Sequence, residues 1–422
     1  TWQGTLPEHI YDILYSVVTE DSPRVRCCVH KERAVLKNRI NMALGLTVGL
    51  NIVEASKIAL TEPVNKALPI IDVLPEACDQ CPIDKFLVTD ACRHCVAHKC
   101  MNKCPKKAIT IHQNRAYIDK TKCIECGMCK KVCPMLNDIK GNVSKNCYSA
   151  WSKDKKIRKN SASGGIATEL YRFAIKNKMW ICGVNMDNNY LCSYSITNSN
   201  YDQFANSKYT YSDMGYIYTI IKEKILKNEK VLFIGLPCQV AALKQYIDLY
   251  KLNRNLLTLV DIVCHGVTPQ DYLKTHIENI CKKKKKNATE VFFRDPSFNT
   301  YTYTFTLKNN GIPFYKKKVY RNDVYQIGYH KGIAYRENCY HCRFSNKQRQ
   351  GDLTLSDFAG VGKYKKCDYD NKNVSCVLVN TKKGYNFYQS LLLENRIYSE
   401  IRPIEEEYDF ESRLHTPTPI PK

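Results

Sequence analysis

Two runs of four closely spaced cysteines, each followed by a proline, constrain this chain more than any other feature of its sequence. The second run lies in the stretch TKCIECGMCKKVCPMLND, and the first has the same spacing with two extra residues in its second gap. The runs consist of Cys92, Cys95, Cys100 and Cys104, and of Cys123, Cys126, Cys129 and Cys133. Sulfurs this close along a chain converge readily on a soft metal. The spacing therefore predicts metal sites that determine how this part of the chain folds.

The cysteine content agrees with a reducing compartment. The chain has 22 cysteines among 422 residues. No apolar stretch approaches the roughly 20 residues needed to span a bilayer, and the first residues lack a charged-then-apolar secretory pattern, so a cytoplasmic chain is expected. A reducing cytoplasm keeps thiols free to bind soft metals instead of pairing them as disulfides.

The spacing CxxCxxCxxxCP is that of bacterial ferredoxins, in which three cysteines hold one 4Fe-4S cluster and the fourth reaches the neighbouring cluster. We therefore expect the two runs to exchange their last ligands. One cluster is assigned to Cys92, Cys95, Cys100 and Cys133, and the other to Cys123, Cys126, Cys129 and Cys104. Zinc is the alternative, since two CxxC pairs can build a tetrahedral site, but it leaves the repeated CxxxCP unexplained.

A dicluster ferredoxin-like domain is expected over residues 91–137. Residues 108–111 and 116–119 have the pattern of two short strands around a polar turn, as such a domain requires. His94 and His98 lie inside the first run. Because four cysteines are available for each cluster, we expect both histidines in solvent-facing loops.

Residues 1–90 are expected to form a separate helical segment, from the helical spacing of apolar residues over 10–17 and a basic amphipathic stretch over 24–45. Cys27, Cys28, Cys78 and Cys81 could bind a further metal or remain reduced thiols, and the sequence leaves both interpretations open. The stretches RCCVHKERA, ACDQCP and ACRHCVAHKCMNKCPKKAI resemble the amino-terminal ferredoxin-like region of monomeric iron-only hydrogenase-related proteins. Hydrogen chemistry is not expected, because nothing after Pro134 resembles the cysteine loops that would grip a hydrogen-activating cluster.

From about residue 147 the pattern changes to alternating helices and apolar strands, which predicts an α/β domain with a mainly parallel sheet over residues 147–400, followed by a tail over 401–422. The expected helices cover residues 164–178, 213–228, 237–247 and 268–286. The expected strands cover residues 180–184, 231–234 and 256–263, with further strands at 290–294, 301–307, 352–356 and 374–380. The whole chain is thus expected to be a multidomain α+β and α/β protein.

Two loops have the composition of an organic-cofactor site. Asn160 to Gly165 places small residues at the start of a helix, where backbone N–H groups can approach a phosphate closely. An ordinary serine N-cap explains the same residues equally well. The second loop, Gly235 to Gln239, follows the apolar strand VLFI, at the edge where open α/β sheets bind their ligands. We expect Gly235, Pro237 and Gln239 to contact the cofactor.

Four later cysteines form a third candidate set. Cys238 follows the strand VLFI, Cys264 ends the next strand, and Cys339 and Cys342 form an isolated CxxC before the strand DLTLSDF. If the fold brings the strand ends together, these thiolates can hold a third 4Fe-4S cluster. Structural zinc and simple free thiols remain the alternatives.

Several motifs together identify a family resemblance over residues 121–396. They are CIECGMCKKVCPMLN, CYSAWSKDKKIRKNSASGG, SKYTYSD, VLFIGLPCQVAALK, VDIVCHG, FFRD, NCYHCRF and GDLTLSDFAGV. In this order they resemble the family of coenzyme F420 hydrogenase/dehydrogenase beta subunits. The resemblance implies an iron–sulfur flavoprotein that binds FAD and passes electrons between a one-electron carrier and a two-electron substrate, coenzyme F420 or another small organic molecule. Ala359 stands where the family usually has an aromatic residue.

The resemblance also implies which residues contact the flavin. They are Ser161, Ser163, Gly164 and Gly165 at the helix start, with Ser207, Lys208 and Tyr209 as a second contact. Lys208 would neutralise a phosphate or the charge of the reduced flavin, although an ordinary surface lysine is the alternative. His265, beside Cys264, is a candidate proton donor, and the alternative for it is a hydrogen bond to a sulfur or to the backbone.

Charge indicates the class of partner. Lys and Arg number 64 against 41 Asp and Glu, and the net charge is +23. Such a surface steers an acidic ferredoxin or flavodoxin-like carrier to the protein, as well as an anionic small-molecule substrate. Two other classes remain in view: an iron–sulfur electron carrier without flavin, and a basic nucleic-acid-binding iron–sulfur protein suggested by the lysine run at 282–286. Nucleic acid is not expected, because no known nucleic-acid-binding module accompanies that run.

Overall fold

The computed structural model describes residues 4–20, 29–61, 88, 92, 95, 98–112, 115–133 and 140–421. It divides into two compact units, Thr1–Leu87 and Val88–Lys422. The second unit therefore contains both cysteine runs and the whole α/β region. The cysteines at 27, 28, 78 and 81 lie outside the described residues, as does His94.

The first unit contains three described helices, α1 (Leu6–Val17), α2 (Val29–Ala43) and α3 (Ile52–Thr61). A proline in the first turn favours the start of α1, because its missing N–H would have no helical partner there. The predicted helix over residues 10–17 is present in α1, where Ile10 and Leu14 are buried but Ile13 and Val17 are exposed, and Ile52 of α3 is buried as well. Two asparagines of α2 hold the turn before α3, since Asn41 donates to the Leu50 carbonyl and Asn38 accepts from Gly49 N–H.

The cysteine runs of the second unit surround a hairpin and two short helices. These elements are α4 (Lys99–Lys103), β1 (Ile109–His112), β2 (Arg115–Ile118) and α5 (Met128–Val132). The antiparallel pairing of β1 with β2 confirms the two predicted strands. The expectation of a solvent-facing His98 is wrong, because its side chain is only 4% exposed and its ring nitrogens lie 3.0 and 3.2 Å from the Tyr211 hydroxyl. The cause is the packing of this region against the α/β region, which local sequence does not show.

The α/β region contains the remaining elements of the described chain. Its strands are β3 (Asn142–Val143), β4 (Asn146–Ser152), β5 (Trp180–Met186), β6 (Cys192–Thr197), β7 (Val231–Gly235), β8 (Leu257–Ile262), β9 (Glu290–Phe292), β10 (Thr304–Asn309), β11 (Ile312–Lys318), β12 (Gln348–Arg349), β13 (Leu353–Asp357), β14 (Ser375–Val379) and β15 (Ile397–Arg402). Its helices are α6 (Lys155–Asn160), α7 (Ile166–Lys176), α8 (Ile217–Leu226), α9 (Pro237–Leu249), α10 (Gln270–Lys284), α11 (Val324–His330), α12 (Glu337–Tyr340), α13 (Lys382–Leu393) and α14 (Glu405–Tyr408).

An eight-stranded sheet organises the region, in the order β15-β4-β14-β13-β8-β7-β5-β6. The central strands β13, β8, β7 and β5 are parallel, whereas β14, β4, β15 and β6 join by antiparallel pairing. The predicted α/β class is thus confirmed, but the sheet is mixed, with its parallel part at the centre. The predicted helices over 164–178, 213–228, 237–247 and 268–286 correspond to α7, α8, α9 and α10.

Helices cover both faces of this sheet, as the unbroken apolar strand β7 requires. Leu232 points to one face, where α7 and α13 contribute Leu170 and Leu391. Phe233 points to the other, where α8 and α9 contribute residues such as Tyr218 and Leu243. A smaller antiparallel sheet, β11-β10-β9, packs its apolar face on Leu273 and Ile277 of α10.

Residues expected to form a carboxy-terminal tail are largely ordered and packed. Arg402 and Glu406, both fully buried, form two hydrogen-bonded contacts of 2.8 Å. Further along, the Thr418 hydroxyl donates to the His265 carbonyl at 2.6 Å. The chain end therefore reaches the loop after β8. As for membranes, none of the helices in the described ranges combines the length and apolar character needed to cross one.

The buried Arg349–Asp261 pair gives a stability prediction. The Arg349 guanidinium lies 3.0 Å from the Asp261 carboxylate, and both side chains are almost fully buried. Arg349→Met leaves that carboxylate without its counter-charge, so we expect the free energy of unfolding to fall by about 3–5 kcal/mol in urea titrations followed by tryptophan fluorescence. The matched control is Lys365→Met, which removes an exposed partner of Glu400 and should cost less than about 1 kcal/mol. A loss of under about 1 kcal/mol for Arg349→Met would contradict the prediction.

Candidate redox site

The carboxyl ends of the parallel strands β5, β7, β8 and β13 lie along one edge of the large sheet, which we call the carboxyl edge. Cys238 follows β7, Cys264 and His265 follow β8, and Asp357 ends β13. Because β14 runs antiparallel to β13, its first residue, Ser375, pairs with Asp357 at the same edge. Open α/β sheets bind their ligands at such an edge, so these loops define the candidate site.

Three elements bring the third predicted cysteine set to this edge. Cys238 lies in the first turn of α9, Cys264 just after β8, and Cys339 and Cys342 in and after α12. Burial raises the pKa of the Cys238 thiol well above its usual value, and the neighbouring thiols of Cys342, Cys264 and Cys339 raise it further. Burial also raises the pKa of Cys339 to about 11, with Cys342 adding to the effect. All four predicted cysteines thus lie within electrostatic reach of one another.

The ferredoxin-type cysteines group in the same way. Burial raises the pKa of Cys100, and Cys95, Cys92 and Cys129 raise it further. The pKa of Cys129 is raised by burial and by its neighbours Cys123 and Cys126. Burial also raises the pKa of Cys95, and Cys133 adds to the rise. Cys133, the last cysteine of the second run, therefore lies near the first run, as the predicted exchange of ligands requires.

The donor chemistry of these sets fits iron–sulfur clusters. Each set supplies soft sulfur donors, and its thiols release protons when they bind a metal. Cys104 also accepts a hydrogen bond from Ala108 N–H at 3.2 Å, which orients its sulfur. Among the residues described, no three His, Cys, Asp or Glu side chains are arranged to hold a single metal ion. The number of clusters and the ligands of each remain predictions.

The small residues predicted to contact flavin have structural roles of their own. The hydroxyl of Ser161 donates to the Ile157 carbonyl, and that of Ser163 donates to the Val374 carbonyl, both at 2.8 Å. A β-carbon on Gly164 would lie 2.3 Å from the Ala150 carbonyl oxygen, and Gly165 has a φ of +83° just before α7. Glycine is therefore required here by the close approach of the loop to β4. Flavin contact by these residues stays a prediction.

The loop between β7 and α9 is held by its own polar groups. Gln239, fully buried, accepts from Leu236 N–H at 2.9 Å and from the Tyr194 hydroxyl at 2.7 Å. A β-carbon on Gly235 would lie 2.6 Å from that hydroxyl oxygen, and Pro237 begins α9. These contacts fix the position of Cys238. The Gln239 side-chain nitrogen has no hydrogen-bond partner among the described residues, so a buried donor remains beside the cysteine loop.

Lys208 and its neighbours form a loop beside the aromatic side chains at this edge. The Lys208 ammonium donates to the carbonyls of Phe204, Ala205 and Asn206, and burial lowers its pKa to about 8. Tyr209 stacks on Tyr329, with ring centroids 4.6 Å apart and planes 11° apart. Lys208 therefore stabilises its own loop, and its predicted contact with flavin is not tested by this geometry. The same holds for Ser207 and Tyr209.

Two histidines lie near this edge, and only one was predicted. His265 is 54% exposed, with Nε2 3.8 Å from a Glu411 carboxylate oxygen. His330, which no sequence motif singled out, packs against the rings of Tyr209, Tyr303 and Tyr329. Burial lowers the pKa of His330 to about 4, and His265 and Arg294 lower it further. Of the two, His330 is the more buried and stays neutral at pH 7.

An ion pair and a basic cavity complete the edge. Arg294 lies 2.6 Å from the Asp357 carboxylate, which also accepts from the Tyr303 hydroxyl at 3.0 Å. A surface cavity of about 390 Å³ lies nearby. Arg294 donates to the Thr300 carbonyl at 2.9 Å, and the Thr300 hydroxyl donates to Asn373, which lines the cavity. The cavity is lined by Lys155, Arg158, Lys159, Tyr301, Asp370, Lys372 and Asn373. The motifs FFRD, DLTLSDF and KDKKIRKN contain several of these residues, so a signal for them was present in the sequence.

Sequence comparisons agree with the arrangement. The sequence models for the amino- and carboxy-terminal parts of the coenzyme F420 hydrogenase/dehydrogenase beta subunit match residues 147–216 and 228–407. The chain belongs to this family. The model of a 4Fe-4S dicluster domain matches residues 84–134. The resemblance of the first third to hydrogenase-related proteins stays a prediction.

Individual relatives are distant. One of the subunits of the F(420)H(2) dehydrogenase of Methanosarcina mazei is 22% identical over 238 residues, which are 52% of this chain and 66% of that protein. Ferredoxin-1 of Caulobacter vibrioides is 32% identical over a stretch that covers 16% of this chain and 59% of that ferredoxin. Ferredoxin 7Fe of Hydrogenibacillus schlegelii is 34% identical over a stretch that covers 12% of this chain and 64% of that ferredoxin. The chain thus spans between 59% and 66% of the length of these three relatives. A solved structure of the F420-reducing [NiFe] hydrogenase complex from Methanosarcina barkeri aligns with 66% of this chain and 89% of its own, at 18% identity and a TM-score of 0.46.

The buried His330 gives a prediction for pH. Its folded pKa of about 4 lies below the unfolded value near 6.5, so the unfolded chain binds more protons between these values. The stabilisation is complete above about pH 6.5 and is lost as the pH falls toward 4. Between pH 7.5 and 5.0, the free energy of unfolding of the natural protein should fall by about 1–2 kcal/mol more than that of His330→Phe.

The control is His9→Phe, which removes a largely exposed histidine and should follow the natural protein at both pH values. Urea titrations of the three proteins at each pH provide the comparison. Equal pH dependence in His330→Phe and the natural protein would mean that His330 is not held neutral by burial.

Proposed function

We propose that this chain is an iron–sulfur flavoprotein oxidoreductase. In this proposal, it relays single electrons from a ferredoxin-type donor through 4Fe-4S clusters to FAD, for two-electron reduction of coenzyme F420 or another small organic substrate, or for the reverse reaction. The observation that supports it most is the grouping of Cys238, Cys264, Cys339 and Cys342 at the carboxyl edge, in the same compact unit as both ferredoxin-type runs. When bound, the clusters exchange one electron at a time and the flavin exchanges two as a hydride.

The residues that would hold these groups are those predicted from the sequence. The two ferredoxin-type sets and the Cys238 set would each ligate one cluster, and the loop Ser161–Gly165 with Ser207–Tyr209 would contact the flavin. The basic cavity beside this loop suits an anionic part of a cofactor or substrate, because four of its lining side chains are cationic and one is anionic. We assign it no particular ligand.

Side chains of the carboxyl edge would organise the reaction space. The Arg294–Asp357 pair fixes a cation and an anion at the end of β13, and the Tyr303 hydroxyl holds the carboxylate in place. The stacked rings of Tyr209 and Tyr329 line the space beside this pair and would limit the access of water to it. His330, neutral at pH 7, can accept a proton there, whereas His265 stands exposed where it can exchange protons with solvent. A site for hydride exchange needs both a dry interior and a proton path.

The partner proposed for electron delivery is an acidic ferredoxin or flavodoxin-like carrier. Three bound clusters lower the formal charge of +23 by about 6, so the surface stays strongly basic. Cys126, in the ferredoxin-like region, is exposed, and this supports electron entry from the carrier through that set. Electrostatic steering of this kind raises association rates and weakens as salt is added.

Cofactor analysis of the anaerobically purified protein tests the proposal. We expect about twelve irons per chain, four for each of three clusters, together with one acid-releasable FAD. Cys339→Ser removes one ligand of the Cys238 set, so iron should fall to about eight per chain while the ferredoxin-type signals remain in electron paramagnetic resonance spectra.

The matched control is Cys281→Ala, which removes a half-buried thiol outside the three sets and should keep all of the iron. Full iron with no flavin would favour an electron carrier. If the protein contains no flavin and binds to immobilised DNA in a way that added salt abolishes, the nucleic-acid-binding class would be favoured. If Cys339→Ser contains as much iron per chain as the natural protein, the assignment of the third cluster is refuted.

A further inference from the structure

A buried lysine joins the ferredoxin-like region to the α/β region. Lys99 begins α4, directly before Cys100, and is only 2% exposed. Its ammonium donates a hydrogen bond to the side-chain oxygen of Gln245. Gln245 lies on α9, the helix whose first turn contains Cys238. The bond therefore fixes the first cysteine run against the helix that presents the third set.

The same ammonium faces sulfurs on both sides of this junction. Lys99 interacts electrostatically with Cys95 and Cys133 of the first ferredoxin-type set and with Cys238 of the third set. Cys95 also acts electrostatically on Cys238. The first ferredoxin-type set thus lies within electrostatic reach of the third set, and Lys99 is a cation that faces both.

Neighbouring side chains close the junction to water. Tyr211 places its hydroxyl against the buried ring of His98 and packs with the side chains of Cys238 and Cys339. The guanidinium of Arg336 lies 4.9 Å from the centre of the Tyr211 ring and acts electrostatically on both Cys95 and Cys339. A second cation, also buried, is therefore directed at the same two sets.

Burying an ammonium is unfavourable unless an anion compensates for the lost hydration. The neutral amide of Gln245 supplies one hydrogen bond and no charge. A 4Fe-4S core held by four thiolates is a net anion, and nearby charge is one of the factors that set its reduction potential. Two such anions flanking Lys99 would supply the compensation that the fold otherwise lacks on this side.

We propose that Lys99 is a positioning residue that raises the reduction potentials of both adjoining clusters, the Cys92/Cys95/Cys100/Cys133 cluster and the Cys238/Cys264/Cys339/Cys342 cluster. The inference rests on the proposed function, because it needs those clusters. It adds that Lys99 acts on both clusters, so that a single substitution at Lys99 shifts both potentials in the same direction. It also makes the first ferredoxin-type set, and not the set containing the exposed Cys126, the neighbour of the third set.

The test is a potentiometric titration of the intact, anaerobically purified protein, monitored by electron paramagnetic resonance. The signal of the Cys238 set is identified by its loss in Cys339→Ser. In Lys99→Met we expect the reduced-to-oxidised ratio of both adjoining clusters to fall about tenfold at a fixed potential, a shift of about 59 mV for one-electron couples. Lys99→Arg retains the charge and should keep both potentials near those of the natural protein.

The control is Lys106→Met, which removes an exposed lysine two residues after Cys104 and should leave both potentials unchanged. Unchanged potentials in Lys99→Met, or a shift in only one of the two clusters, would overturn the inference. If Lys99→Met loses iron, retention of iron and potentials in Lys99→Arg still supports a role for the charge, and loss of iron in both variants contradicts it. A natural protein without iron would instead refute the proposed function.

Discussion

A single buried carboxylate determines how the candidate site is assembled. Asp261, near the end of β8, accepts hydrogen bonds from the backbone N–H groups of Gln350 and Gly351 and from the Thr354 hydroxyl, and it pairs with Arg349. Arg349 in turn donates to backbone carbonyls at Phe344 and Asn346, just after the CxxC of Cys339 and Cys342. These bonds connect the strand that leads into Cys264 with the segment that follows Cys342. The two cysteines are 78 positions apart in the sequence. A buried ion pair adds little stability compared with an apolar replacement, but it fixes geometry because breaking it is costly.

The sequence allowed some parts of this arrangement to be predicted, because their signals are local. The spacing within each cysteine run, the apolar strand VLFI and the helix after it each depend on neighbours within a few residues, and the observed α9 and β7 agree with them. The antiparallel strands β4, β6 and β15 were missed. The partners of β4 and β15 lie far away in sequence, and β6 and β15 lie at the two edges of the sheet, where the apolar pattern is weaker. The burial of His98 was missed for the same reason. Its partner, Tyr211, is 113 residues away.

The carboxyl edge shows the same division between local and distant information. FFRD and DLTLSDF were recognised as motifs, yet nothing in either stretch indicates that Arg294 and Asp357 pair with each other, because the pairing depends on how the small sheet packs beside β13. The small residues of SASGG present the opposite case. Their composition suggested a cofactor loop, and the structure shows that packing against β4 and β14 already requires them. A glycine pair is therefore weak evidence for a ligand even where the family supports one.

Buried cations distinguish the parts of the fold that balance charge within the polypeptide from the part where the proposed clusters would balance it. Arg349 and Arg402 are compensated by the carboxylates of Asp261 and Glu406, so these pairs balance charge within the polypeptide. At the junction of the ferredoxin-like and α/β regions, Lys99 instead faces cysteine sulfurs, and burial keeps the pKa of thiols such as Cys95 and Cys238 raised. Neutral thiols cannot balance an ammonium, whereas metal-bound thiolates can. The charge pattern of the junction is thus one that the proposed clusters would balance.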